Sequence, residues 1–157
     1  MKPEQFIREF GVEKAREVVE GAPDKTASHY AQGKWGDAYY SLEFVSVWSN
    51  EEKDWFDSDY ATEEELNRDY MVVVDLSNLK RLVESLDIVM AIGPIEYTRS
   101  VVTNAPADAI GYDTMHEGYF YENNKHYYEN LRTFTIDQIK EAIAVHESIY
   151  GGGDETN

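Results

Sequence analysis

The chain has 157 residues, with 31 Asp and Glu against 14 Lys and Arg, for a formal net charge of -17. Its 42% apolar and 13% aromatic content is enough for a core and excludes a disordered chain. There is no apolar run of transmembrane length and no cysteine for disulfides or thiolate-held metals, and the chain lacks the basic footprint of a binder of nucleic acid or anionic membrane.

The opening "MKPEQFIREFG" carries charges inside its apolar stretch and no cleavage-like small residues, so no signal peptide is expected. A cysteine-free chain fits a cytoplasmic setting. Gly11 breaks this first helical stretch. From Val12 to Glu20, Val12, Ala15, Val18 and Val19 follow helical spacing, with Glu13, Arg16 and Glu20 placed for side-chain pairing. Ala22-Pro23 ends that helix. Tyr39 to Trp48 is aromatic-rich and reads as strands. An acidic insertion follows between Trp48 and Tyr70; from Glu51 to Asp69 it holds nine acidic residues and two basic ones. Within it, Thr62 and Glu65 are spaced as a capping box opening a short helix. Asp75 is the expected N-cap of the next helix, with Val74 and Leu79 as a hydrophobic staple and Leu82, Val83, Leu86 and Val89 along its buried side. After Gly93 a helix is expected from Ile95, stopped by Ala105-Pro106. Ile110 to Tyr121 reads as strands. Thr135 with Gln138 forms a second capping box, Phe134 with Ile139 a second staple, and Ile143, Val145 and Ile149 continue that helix.

The chain repeats itself. Val12 to Pro23 and Ile95 to Pro106 share six of twelve residues, including Arg16/Arg99, Val18/Val101 and Pro23/Pro106. "VDLSNLKRLV" from Val74 resembles "FTIDQIKEAI" from Phe134, in the same order. The expected fold is therefore α+β, a tandem duplication of an αββα-like half-unit with antiparallel strands, packed as one pseudo-twofold body. This is one globular domain over 1–150 with halves of about 1–91 and 92–150, and a disordered tail at 151–157. Two similar amphipathic helices arising independently is the competing reading. The acidic insertion has no counterpart in the second half, so it is expected to be unnecessary for building the unit.

No nucleotide-binding glycine loop, serine-hydrolase elbow or zinc-protease motif is present. His29, His116, His126 and His146 include no helical metal pair; His116, Glu117 and His126 flank a hairpin and read as surface residues rather than ligands. "DWFDSDYATEEE" superficially resembles a calcium loop, but Thr62 stands where glycine is needed and Arg68 where glutamate is needed. No cofactor and no catalytic residue is therefore expected. "HEGYFYENNKHYYENLR" gathers Tyr119, Phe120, Tyr121, Tyr127 and Tyr128 around a turn-like Asn123-Asn124-Lys125. These aromatics suit either an interface or cross-strand packing. Trp48, Trp55, Phe56 and Tyr60, in or beside the insertion, either pin it to the body or meet a basic protein surface.

Three segments, "FIREFGVEKAREVVEGAP", "VDLSNLKRLVES" and "IKEAIAVHESIYGGGD", resemble modules of small accessory proteins of lambdoid phages and prophages of enteric bacteria. The resemblance spans roughly Met1 to Pro23, Val72 to Ala91 and Thr133 to Asp154, and carries no catalytic motif and no site residue. It implies an early gene product acting in the cytoplasm of a bacterial host cell. Small acidic proteins of that setting often inhibit a host enzyme or defence complex, sometimes by imitating DNA.

The expected function is thus a non-enzymatic acidic interaction protein. It would bind and modulate a host protein with a basic surface, such as a defence or nucleic-acid-processing factor. No direct contact with nucleic acid or membrane is expected, and a homo-oligomer is compatible with the tyrosine cluster. The partner-binding residues expected are Asp57, Asp59, Glu63, Glu64 and Glu65 of the insertion, which would face solvent, with Tyr119, Tyr121, Tyr127 and Tyr128. The alternative is a small-ligand module with an aromatic pocket between the two halves.

Overall fold

Pro3 at the first turn and Gly11 just past the last residue delimit the first helix, α1 (Pro3–Phe10). Gly11, at φ 89° and ψ 158°, turns the chain directly into α2 (Val12–Glu20). The computed structural model describes residues 1–128 and 132–151, and the chain divides into two compact units, Met1–Val83 and Glu84–Asn157. The expected disordered tail, apart from Gly151, lies outside the described residues.

In the first unit, β1 (His29–Gly33) and β2 (Gly36–Ser41) form a hairpin. β3 (Ser46–Ser49), β4 (Asp54–Asp57), α3 (Glu63–Asp69) and β5 (Val72–Asp75) follow. The sheet is antiparallel, ordered β4-β3-β2-β1-β5. Alternation sends Tyr30 and Tyr39 to one face. There Tyr30 meets Phe6 of α1 edge-on at 6.4 Å, and the Tyr39 hydroxyl donates to the Val18 carbonyl of α2 at 2.7 Å. Ala31, Tyr40 and Val73 point to the other face, against Leu66 of α3, which is fully buried. The acidic insertion therefore does build the unit. Its β4 extends the sheet, and without its Tyr60 and Leu66 the apolar face of β1, β2 and β5 would lie largely open to water.

β5 runs straight into α4 (Leu76–Ile92). Asp75 is both the last strand residue and the cap, its Oδ1 accepting the Asn78 N–H at 2.9 Å. After Gly93 comes α5 (Ile95–Thr103), followed by β6 (Ala109–Asp113) and β7 (Gly118–Tyr121), a 3₁₀ turn over Glu122–Tyr127, and β8 (Thr133–Thr135). α6 (Ile136–His146) closes into a π-turn at Glu147–Gly151. The second sheet is also antiparallel, ordered β7-β6-β8. Tyr112 at its centre sits opposite Tyr119 and Phe134, and packs with Val101, Ile139 and Ile88. Both expected capping boxes form: Thr62 with Glu65, and Thr135 with Gln138. The fold is α+β with two antiparallel sheets. No helix among the described residues is long and apolar enough to cross a membrane.

Candidate functional site

The sequence-selected residues fall in both units, the acidic ones in the first and the tyrosines in the second. In the insertion, Asp57, Asp59, Glu63 and Glu64 are exposed, and Glu65 is half-buried. Glu63 and Glu65 are also engaged locally. Glu63 Oε2 lies 2.8 Å from Nε2 of the buried His29. Glu65 Oε1 accepts the N–H groups of Ala61 and Thr62 at 2.8 and 3.0 Å, and the Ala61 bond leads in holding this carboxyl below its ordinary value.

The tyrosines also divide. Tyr119 is structural: its hydroxyl donates to the Val101 carbonyl at 2.6 Å and its ring packs against Tyr112 at 5.3 Å. Tyr128 stacks flat on Phe120 at 5.3 Å. Tyr121 is half-buried at the end of β7, and Tyr127 is exposed against the His126 ring. His116 Nδ1 pairs with the buried Asp113 carboxylate at 2.6 Å. No group of three or more His, Asp or Glu placed to hold an ion occurs among the described residues.

A different cluster stands out at one end of the first sheet. The β1–β2 hairpin closes at Gly33 opposite Gly36, leaving Lys34 and Trp35 as its two-residue tip. Nothing in the unit covers Trp35, which is 93% exposed. Met71 leads into β5 beside β1, its N–H bonded to the Gln32 carbonyl, and is 80% exposed. Between the hairpin and the end of α3 lies a cavity of about 490 Å³ lined by Trp35, Tyr60, Tyr70, Lys34 and Asp69.

Packing fixes this wall. The Tyr60 and Tyr70 rings lie 6.0 Å apart, and each meets the Tyr40 ring edge-on. The Tyr70 hydroxyl is 2.5 Å from that of Tyr40. Tyr70 lies over Gly33 so closely that a Cβ there would sit 3.0 Å from the ring. The Tyr60 hydroxyl donates to Asp69 Oδ2 at 2.8 Å; that bond, reinforced by burial, pushes the Tyr60 phenol up to about 12. The Lys34 ammonium rests over the Trp35 ring, 5.4 Å from its centroid. The segment Gly33-Lys34-Trp35-Gly36 carried a legible signal: a tryptophan between two glycines in a tight turn has no core to enter.

Each unit also carries a groove between the end of one helix and the start of another. One holds about 500 Å³, lined by Val19, Ala22, Leu76 and Lys80; the other about 380 Å³, lined by Val102, Ala105, Ile136 and Lys140. Comparison with protein families, curated proteins and solved structures finds no match.

Proposed function

We propose that this chain is a non-enzymatic interaction protein whose first unit docks on a basic protein surface. The observation that carries the reading is the exposure of Trp35 and Met71 at the same end of the sheet, the most exposed large apolar side chains among the described residues. Tryptophan is among the residue types enriched at the anchors of protein interfaces. Asp57, Asp59 and Glu64, exposed in the same unit, add a solvated negative field that would steer a cationic partner. The phage-like segments support a host protein as that partner, a nucleic-acid-processing or defence factor whose basic surface normally holds DNA. The test is capture from a bacterial lysate by tagged protein at low and high salt, beside a Trp35→Ala/Met71→Ala variant. A basic protein retained at low salt, lost at high salt and lost with the double variant supports the reading. Equal retention by both proteins overturns it.

The two units are further proposed to be copies of one ancestral module. Tyr30 sits opposite Tyr39 and Val74; Tyr112 sits opposite Tyr119 and Phe134. The ring pairs are 5.4 and 5.3 Å apart. Tyr39 bonds the Val18 carbonyl as Tyr119 bonds that of Val101, and Val18 and Val101 are matched positions of the sequence repeat. The groove residues Val19, Ala22, Leu76 and Lys80 also align one by one with Val102, Ala105, Ile136 and Lys140. Independent amphipathic helices would not be expected to share strand register and a side-chain hydrogen bond.

A further inference from the structure

We propose that the cavity beside Trp35 is a receptor for an arginine side chain presented by the partner protein, an inference that rests on the interaction reading above. Three of the lining residues are aromatic, and aromatic faces attract cations through their quadrupole. The chain demonstrates this itself, since the Lys34 ammonium lies over the Trp35 ring.

At the cavity wall, Asp69 accepts the Tyr60 hydroxyl on Oδ2, and no Lys or Arg pairs with this carboxylate among the described residues. Oδ1 is thus left to accept from an incoming donor. A guanidinium fits both demands: it is planar and weakly hydrated, so it stacks on rings more readily than an ammonium, and its forked N–H groups suit a carboxylate. An arginine arriving from outside is therefore expected to displace Lys34 from Trp35.

The geometry favours a side chain on a protein over a free small cation. The outer wall is Trp35, which projects into solvent and would remain bare around a small molecule. A protein surface that delivers the arginine would cover Trp35 and Met71 together.

The experiment is an NMR titration of the intact protein with acetyl-Gly-Arg-Gly-Arg-Gly-amide, beside its Lys and Glu counterparts. The readouts are the Trp35 indole N–H, assigned with Trp35→Phe, and the Tyr60 and Tyr70 rings. Saturable shifts confined to these groups, stronger for the Arg than the Lys peptide and absent for Glu, are expected. Trp35→Ala should weaken binding about tenfold, as the loss of an anchor does. That residue is solvent-facing, so its replacement leaves the fold intact, which circular dichroism checks. Lys34→Gln removes the resident cation and should tighten binding by about two- to fivefold, the value of an exposed cation–π contact. Lys80→Gln, which changes net charge equally away from the cavity, should tighten it less.

Arginine binding that ignores Trp35→Ala, or shifts spread over Asp57 to Glu64 without Trp35, overturns the receptor while leaving charge-steered docking in place. Trp35-dependent capture of a partner with no response to the arginine peptide also overturns the receptor alone.

Discussion

Tyr39 and Tyr119 each spend a hydroxyl on a helix carbonyl, at Val18 and Val101. Removing either hydroxyl leaves that carbonyl without its partner, so Tyr39→Phe and Tyr119→Phe should each lose about 1 kcal/mol in denaturant melts. A loss at only one site would count against matched roles. Tyr119→Ala should go further and damage the core, since its ring packs against Tyr112. Asp113 gives a pH prediction. Burial alone would raise its carboxyl, but the His116 ring and the Met115 N–H outweigh burial and hold it below its ordinary value. A depressed carboxyl contributes stability above its unfolded value, near pH 4, and loses it as pH falls through the folded value. Asp113→Asn should therefore destabilise most at neutral pH, the gap from the parent closing on acidification. Two glycines are fixed by geometry. Gly11 has φ 89° and open space where a methyl would go, so Gly11→Ala tests backbone strain alone, about 1–3 kcal/mol. At Gly111 a Cβ would fall 2.0 Å from the Phe120 ring, so a side chain there must displace Phe120. None of these contacts was legible in sequence, because tyrosine chemistry names a donor but not its acceptor.

At the scale of elements, the helices were readable because their ends are local. Thr62 with Glu65 and Thr135 with Gln138 close their capping boxes within four residues, and Asp75 caps across three. The strands were less so. Val72–Asp75 and Thr133–Thr135 are short and feed directly into helices, so their residues read as helix staples rather than as strands. A fully buried strand such as Val72 to Val74 shows no alternation to separate it from a helix turn. His29–Gly33 lacks a strand signal of its own as well, although it is the central partner of both β2 and β5. The structural role of the acidic insertion is hidden for a related reason: one buried leucine among nine acids carries almost no weight in a composition count. Leu66→Ala should cost about 2–5 kcal/mol, since α3 has no other fully buried anchor and a cavity would open beneath Tyr40 and Val73. A cost near zero in thermal or denaturant unfolding would restore the view of the insertion as an appendage. β4 is an edge strand of four residues with Asp54 and Asp57 at its ends, charges that discourage pairing with another chain.

For the molecule as a whole, the proposed docking divides the work: the charge of -17 would supply attraction at a distance and the hairpin tip would supply contact. These are separable in kinetics. Asp57→Lys with Asp59→Lys and Glu64→Lys reverses exposed side chains outside the caps and the core, so association with a basic partner should slow while dissociation changes little. Reversing Glu63 or Glu65 would instead disturb His29 or the α3 cap and confuse binding with folding. Both the slowing and the parent's rate should fade with added salt, because screening acts within about 10 Å at ordinary ionic strength. An association rate indifferent to salt and to the triple reversal would remove charge from the account. Net charge was plain in the sequence, and the glycines around Trp35 hinted at an uncovered tryptophan; the cavity beside it was not legible, because Tyr60, Asp69 and Tyr70 reach it only through the fold.

The boundary between the units falls inside α4, after Val83. Leu79 and Leu82 are buried on one side of that point, while Ile88 and Ile92 pack into the core of the second unit on the other. The division thus falls within one continuous 17-residue helix rather than in a loop. Cutting the peptide bond between Val83 and Glu84 would leave two stubs, each about half of the 17-residue helix and too short to hold helical form in water alone. Melting either core would fray the scaffold of its neighbour. Heat should therefore dissolve both units in one cooperative step, and amide protons at the middle of α4 should exchange no faster than those of the sturdier core.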